Sequence, residues 1–321
     1  MFKKPNCPVI AIEEHYWDPD LAKTFTGIEA GRPGPQLDRL YDLTDVRLKE
    51  MDEAGIDIQL LSHGAPSAQK LQAGGALPLT RAVNDRLAAV CAAHPTRFAG
   101  FAALPTAVPK DAADELERCV TKHGFKGAMI HGLANGVFPD DKRFWPIYER
   151  AEKLDVPIYL HPSLPDARVM DAYYNDYAQD FPMVVRAAWG YTVETATAAI
   201  RMVLSGVFDK HPNLKIVLGH LGETLPFLVW RVDQALARPG AKQMSFRDVF
   251  CNNFWITTSG NFSNPALLCC MQEMGIDRIL FAVDWPFVTN TDAVEWMKGA
   301  PISNEDKAKI LSGNAKRLFR M

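Results

Sequence analysis

Eight short apolar runs, about 38 residues apart on average between His15 and Asp284, set the tightest limit on how this chain folds. They are Pro8–His15, Ile56–His63, Arg97–Leu104, Phe125–His131, Pro157–His161, Lys215–His220, Phe254–Ser259 and Arg278–Asp284. Each is strand-length, and most are rich in β-branched or aromatic residues. Near-continuous apolarity over so few residues suits strands of a parallel sheet covered on both faces. Segments of helical period lie between them. Residues 43–54 carry Leu43, Val46, Leu48 and Met51; residues 78–93 carry Leu79, Val83, Leu87 and Val90 and close at Pro95. Residues 192–210 carry Ala196, Ile200, Val203 and Val207 and stop before Pro212. Thr224 can cap a further helix, with Pro226 in its first turn, where a missing N–H costs little. Repeated βα alternation predicts an α/β fold, and more narrowly a (β/α)8 barrel of the TIM type, as a single domain over residues 1–321. No GxGxxG follows the first run, so a dinucleotide-binding sheet has no support. The longest gap, Pro162 to Tyr191, holds Tyr173, Tyr174, Tyr177, Phe181 and Trp189, and reads as an insertion after strand 5 over the barrel mouth.

Composition narrows the class further. Apolar residues are 48% and charged residues 23% of the 321, which excludes disorder and fibrous structure. A net charge of −3 leaves no basic footprint for nucleic acid, and no run reaches the length of a membrane span. Lys3 and Lys4 have no apolar stretch behind them, so no secretory signal is expected and a cytoplasmic protein is. The six cysteines form no CxxC pair and are expected as reduced core residues, the adjacent Cys269 and Cys270 included.

The ionisable residues carry the functional argument. Six of the eight runs end in a group able to bind metal or move protons: His15, His63, His131, His161, His220 and Asp284. In a parallel barrel these strand ends lie on one face, where barrel active sites are built. Glu13 and His15 are two apart, so their side chains leave a strand on the same side, and Glu14 faces the other way. Glu223 sits just past the sixth run. A lone strand-end imidazole is usually a satisfied structural residue, and that is the better reading of His63 or His131 taken singly. Five of the chain's eight histidines at strand C-termini is a different matter.

Glu13-x-His15, Leu160-His161-Pro162, Gly219-His220-Leu221-Gly222-Glu223 and Val283-Asp284-Trp285-Pro286 together resemble the amidohydrolase-related superfamily. Within it the chain is similar to the metal-dependent, non-oxidative aromatic acid decarboxylases, such as the γ-resorcylate and 2,3-dihydroxybenzoate decarboxylases. The resemblance covers nearly the whole chain, including Phe208-Asp-Lys-His-Pro, Trp230-Arg231, Thr257-Thr-Ser-Gly-Asn-Phe262 and Asn314-Ala-Lys-Arg-Leu-Phe319. It implies one divalent cation held by Glu13, His15, His161 and Asp284. Two carboxylates and two neutral imidazoles form a donor set that suits Zn²⁺ or Mn²⁺. It also implies that Asp284 protonates the carboxyl-bearing ring carbon before CO₂ loss, with His220 and Glu223 as a supporting pair. The substrate is then a small hydroxylated aromatic acid, expected to meet Phe25, His131, Trp189, Arg231 and Phe287, with Trp17 and Trp285 as further candidate walls. Arg231 reads equally as a surface arginine or as a contact to a neighbouring subunit. His131 stands where an asparagine is expected in γ-resorcylate decarboxylases, so no single dihydroxybenzoate is singled out. Family members are commonly dimers or tetramers, so a homodimer or homotetramer is expected, and residues 173–189 suit an interface or a lid. The alternative on the same scaffold is a metal-dependent hydrolase of a lactone, amide or ester, with Asp284 as general base toward a metal-activated water. Glu13 argues against it, because many hydrolytic relatives carry His-x-His. A non-catalytic binding protein would require the rim residues to be incidental.

Overall fold

A computed structural model describes residues 6–240 and 242–321 of the chain. The eight apolar runs all contain strands: β1 Ile10–Tyr16, β2 Ile58–His63, β3 Phe98–Gly100, β4 Ala128–His131, β5 Ile158–His161, β6 Ile216–Leu218, β7 Phe254–Thr257 and β8 Ile279–Leu280. They form two sheets in sequence order, β1-β2-β3 and β4-β5-β6-β7-β8, with every neighbouring pair parallel. Isolated parallel bridges pair Ala102 with Ala128 and Glu14 with Trp285, next to the ends of the two sheets.

Both faces of the strands are buried, and the period-2 alternation sorts their side chains into two clusters. Ile10 and Ile12 of β1 join Leu60, Phe101, Met129, Tyr159, Val217 and Leu280 in one, which the C-terminal helix Asn314–Phe319 completes with Ala315, Leu318 and Phe319. Val9 and Ala11 point the other way, with Leu61, Ile130, Leu160, Ile216 and Ile256, against the covering helices. Strict alternation from Ile10 and Ile12 would turn Glu14 inward in place of Glu13. A register shift between Ala11 and Glu14 re-phases the strand, and Glu13 and His15 face inward together. Such irregularities re-aim side chains beside active sites.

The expected helices are present with altered ends. Residues 43–54 yield the helix Asp45–Ala54, closed by Gly55 at φ 76°. Residues 78–93 lie in a longer helix, Ala73–Ala93, whose non-helical Gly74 leaves Pro78 near its start. Residues 192–210 divide at Gly206 into Gly190–Ser205 and Val207–Lys210. Thr224 does precede the helix Leu225–Leu236, yet its side chain caps nothing. His220, Leu221, Gly222, Glu223 and Thr224 all have positive φ, and an N-cap hydroxyl works from extended backbone. Between β5 and Gly190, short helical turns pack on a small cluster of Leu164, Tyr174 and Val185, and Tyr173, Tyr177 and Phe181 face solvent. No helix among the described residues is long and apolar enough to cross a membrane.

Candidate metal centre

Glu13 and His15 on β1, His161 at the end of β5 and Asp284 just beyond β8 each offer one ligand atom, all within 4.8 Å of one another. His15 Nε2 lies 3.2 Å from Asp284 Oδ1 and 3.8 Å from Glu13 Oε1, and His161 Nε2 lies 3.2 Å from Glu13 Oε1. The far sides of Glu13 and His15 are anchored. Glu13 Oε2 accepts hydrogen bonds from the Tyr159 hydroxyl and from Thr257 Oγ1, and His15 Nδ1 pairs with Ser62 Oγ at 3.2 Å. Gly219 lets the β6 end pass close: a Cβ there would stand 3.0 Å from Glu13 Oε2.

The inner atoms have no such partners. Glu13 Oε1, His15 Nε2 and Asp284 Oδ1 are buried and hydrogen-bonded to nothing in the protein. Buried polar atoms left unpaired are costly, so three aimed at one space mark a place built for a ligand. Two carboxylates and two imidazoles fit one divalent ion of the Zn²⁺ or Mn²⁺ kind. The electrostatics agree. Burial works to raise the Glu13 carboxyl, but His220, His15 and His161 together hold it well below the ordinary range. Burial works to lower His15, but the Asp284 and Glu13 carboxylates bring it up to about 9. Positive charge is wanted at this point.

His220 faces the same space from the loop after β6, at φ 53°. Its Nε2 is 3.7 Å from Glu13 Oε1 and 3.8 Å from Asp284 Oδ2, and its Nδ1 is 2.6 Å from Glu223 Oε1. Burial alone would lower His220, yet the Glu223 and Glu13 carboxylates hold it well above the usual imidazole range. Asp284 itself has φ 76°, and its backbone N–H donates to the Glu13 carbonyl at 3.0 Å.

The expected substrate contacts divide. The Phe287 ring lies 5.7 Å from that of His15, and Phe25 packs 5.9 Å from His63 and 5.1 Å from Trp17. His131, expected to meet substrate, has protein partners at both ring nitrogens. It is fully buried, with Nε2 2.7 Å from the His63 carbonyl and Nδ1 2.9 Å from His161 Nδ1, so both ring nitrogens are spent on protein. Trp285 is likewise no exposed wall: the Arg47 guanidinium covers its ring at 3.9 Å and its indole N–H donates to Glu50 at 2.7 Å. Trp189 is 51% exposed, and Arg231 is exposed on the helix Leu225–Leu236. No hydrogen bond, ion pair or ring contact joins either to the cage among the described residues. Sequence reasoning passed over Tyr159, Thr257, Ser62 and Arg32. Tyr159-x-His161 repeats the spacing of Glu13-x-His15 and was the available signal. Arg32 lies 5.0 Å over Trp17 and 5.9 Å over Phe287.

The sequence profile described as Amidohydrolase matches residues 10–321. A γ-resorcylate decarboxylase of Rhodococcus jostii is 40% identical to this chain, over 97% of it and 98% of the relative. A solved dihydroxybenzoic acid decarboxylase of Polaromonas sp. JS666, holding manganese and the inhibitor 2-nitroresorcinol, superposes with a TM-score of 0.88 at 39% identity, covering 98% of this chain and 97% of that one. The 5-carboxyvanillate decarboxylase of Sphingomonas paucimobilis gives a TM-score of 0.91 at 35% identity, covering 98% and 100%.

Proposed function

The chain belongs to the amidohydrolase family, and from that membership we propose a divalent-metal-dependent carboxy-lyase that removes CO₂, without oxidation, from a hydroxylated aromatic carboxylic acid of the dihydroxybenzoate type. The observation that carries the reading is the convergence of three unpartnered buried atoms, Glu13 Oε1, His15 Nε2 and Asp284 Oδ1, beside His161 Nε2. A cation held by these four residues supplies charge to fix and polarise the phenolate and carboxylate oxygens of an ortho-hydroxy acid.

The remaining work falls to the chain. Loss of CO₂ from an aryl acid leaves carbanion character unless the ring carbon is protonated first. Asp284 delivers that proton to the carboxyl-bearing carbon. The C–C bond then breaks, its electron pair returns to the ring, and aromaticity is restored as CO₂ leaves. Glu223 orients the His220 imidazole, which faces Asp284 and Glu13 and serves as hydrogen-bond donor and proton relay. Phe287, with Phe25 behind it, forms an apolar wall for a flat ring and keeps water from the reacting carbon.

The two sheets read as arcs of one closed (β/α)8 barrel, a single domain over 1–321 with the turns after β5 as its insertion. The bridges Ala102–Ala128 and Glu14–Trp285 support that closure. The barrel acts as a cytoplasmic homodimer or homotetramer, whose assembly covers Trp189 and Arg231. Incubating the Mn²⁺-loaded protein with a panel of dihydroxybenzoates, and separately with lactones, tests the activity. CO₂ release from at least one ortho-hydroxylated acid is expected; acid release from lactones with no CO₂ from any member would overturn the reading in favour of hydrolysis.

A further inference from the structure

His131 is a strand-end imidazole that is fully buried and pairs with a cage residue, His161, rather than facing the cage itself. The protons around it can be placed from the carbonyls at the two ends of the pair, since a carbonyl only accepts. His161 Nδ1 lies 2.8 Å from the Pro162 carbonyl, so this nitrogen carries the hydrogen. His131 Nε2 lies 2.7 Å from the His63 carbonyl, so there the hydrogen is on Nε2. The two Nδ1 atoms are 2.9 Å apart, so the single hydrogen of His161 Nδ1 is shared between the Pro162 carbonyl and the lone pair of His131 Nδ1. The bare Nε2 of His161 is left pointing at Glu13 Oε1.

We propose that His131 is a positioning residue for the metal centre: it holds His161 in the Nδ1–H tautomer and fixes the plane of its ring, so that Nε2 is the lone pair offered to the cation. This rests on reading the cage as a metal site. The Pro162 carbonyl adjoins the ligand in the chain and moves with it, whereas His131 is tied to other elements. Its ring is fixed to the β2 end through His63, and its backbone N–H donates to Gln69 Oε1 at 3.2 Å. His131 and His161 are register partners at the ends of β4 and β5, with rings 4.6 Å apart and inclined at 62°. Gly132, at φ 52°, permits the close approach: a Cβ there would lie 2.6 Å from Ser163 Cβ. Groups that orient a ligating imidazole through its other nitrogen are worth roughly 10- to 100-fold in metal affinity.

Two variants separate the acceptor from the packing. His131→Leu fills similar space and removes the lone pair; His131→Asn puts an amide oxygen near the position of Nδ1. Mn²⁺ and Zn²⁺ dissociation constants, measured by competition with a chelator, are the readout, with circular dichroism and Tm reporting the fold. His131→Leu is expected to weaken metal binding about 10-fold or more, and His131→Asn to stay within about threefold of wild type. Unchanged affinity in a folded His131→Leu protein would overturn the proposal, as would an equal loss in both variants, which would make the role one of packing. Should His131→Leu not fold, ¹⁵N NMR of histidine-labelled, Zn²⁺-loaded wild type decides: an unprotonated, hydrogen-bonded His131 Nδ1 supports the assignment and a proton on His131 Nδ1 overturns it. Wild type that binds neither metal would sink the metal-site reading itself, a result distinct from these.

Discussion

Asp284 has two carboxylate oxygens in two settings. Oδ1 is unpartnered and 3.2 Å from His15 Nε2, within the cage, while Oδ2 is 3.8 Å from His220 Nε2. A left-handed backbone at a non-glycine residue costs on the order of 1–3 kcal/mol and persists where the surroundings impose it. Here the N–H to the Glu13 carbonyl does so. Asp284→Asn keeps one oxygen for the cation and removes the acid. Metal affinity should fall yet remain measurable, and kcat should drop by about 10²–10⁴; a wild-type rate would exclude Asp284 as the proton donor. His63 shows how a strand-end histidine can be purely structural. Its Nε2 accepts from the Asp18 N–H and its Nδ1 donates to the Gly64 carbonyl, both at 2.9 Å, and burial pushes it down to about 4. The unfolded chain takes up this proton near pH 6.5, the folded one only near pH 4. Stability from this group is therefore full above pH 6.5 and is lost as pH falls toward 4, by about 3 kcal/mol in all. Urea midpoints across that window should fall less steeply in His63→Gln than in wild type, and identical slopes would refute the assignment. The four residues of the cage were readable in the sequence because each closes or nearly closes an apolar run. The surroundings of His131 were not readable in the same way: a strand-end position says that a side chain reaches the rim, but not that a carbonyl and a second imidazole already meet its nitrogens.

The helix Asp45–Ala54 works on the centre from behind. Arg47 is fully buried: Nη2 donates to the His15 carbonyl at 2.5 Å, Nη1 to Gln59 Oε1 at 3.1 Å, and the guanidinium lies on Trp285, next to Asp284. Glu50, on the same helix, takes the Trp285 indole N–H. One element thus braces the junction at which His15 N–H donates to the Trp285 carbonyl at 2.7 Å. Glu14 completes the brace, accepting from the Val283 N–H and from Gln59, and burial raises its carboxyl to about 8. Arg47→Met leaves the His15 carbonyl and Gln59 Oε1 without their buried donor, and stability should fall by about 1.5–3 kcal/mol. A shift in the urea midpoint worth under about 1 kcal/mol would show that the brace is dispensable. Periodicity located this helix but misjudged its inner face: Val46 is 40% exposed while Arg47 is buried. An arginine inside a polar turn reads as solvent-facing, and only the tertiary partners reverse that. The register shift in β1 was hidden, although alternation with His15 had already turned Glu13 inward and Glu14 away.

The whole molecule couples the cation to folding, because the donors come from both sheets. Glu13 and His15 belong to the first, His161 to the second, and Asp284 follows the last strand of the second. An ion bound to all four ties residues 13 and 284 across nearly the full length of the chain. Binding to the folded form alone adds stability as RT ln(1 + [M]/Kd), about 2.7 kcal/mol at a hundredfold excess over Kd. For a chain of this size that amounts to a Tm rise of about 4 °C. The apolar clusters on both faces of the strands do not depend on the ion. Chelation should therefore abolish turnover and lower Tm while leaving the far-ultraviolet dichroism unchanged, and added Mn²⁺ should restore activity and Tm together. Spacing along the sequence could foresee strands and helices in alternation, and with them a shared rim. The barrel reading and the family resemblance already put Glu13 and His15 of the first run with Asp284 of the last in one site, as found. What spacing did not show is the contact that does it, β1 meeting the segment after β8 through the Glu14–Trp285 bridge. If Mn²⁺ raised Tm equally in wild type and in His161→Ala, the ion would be acting elsewhere, and the link between the two sheets through this cage would fail.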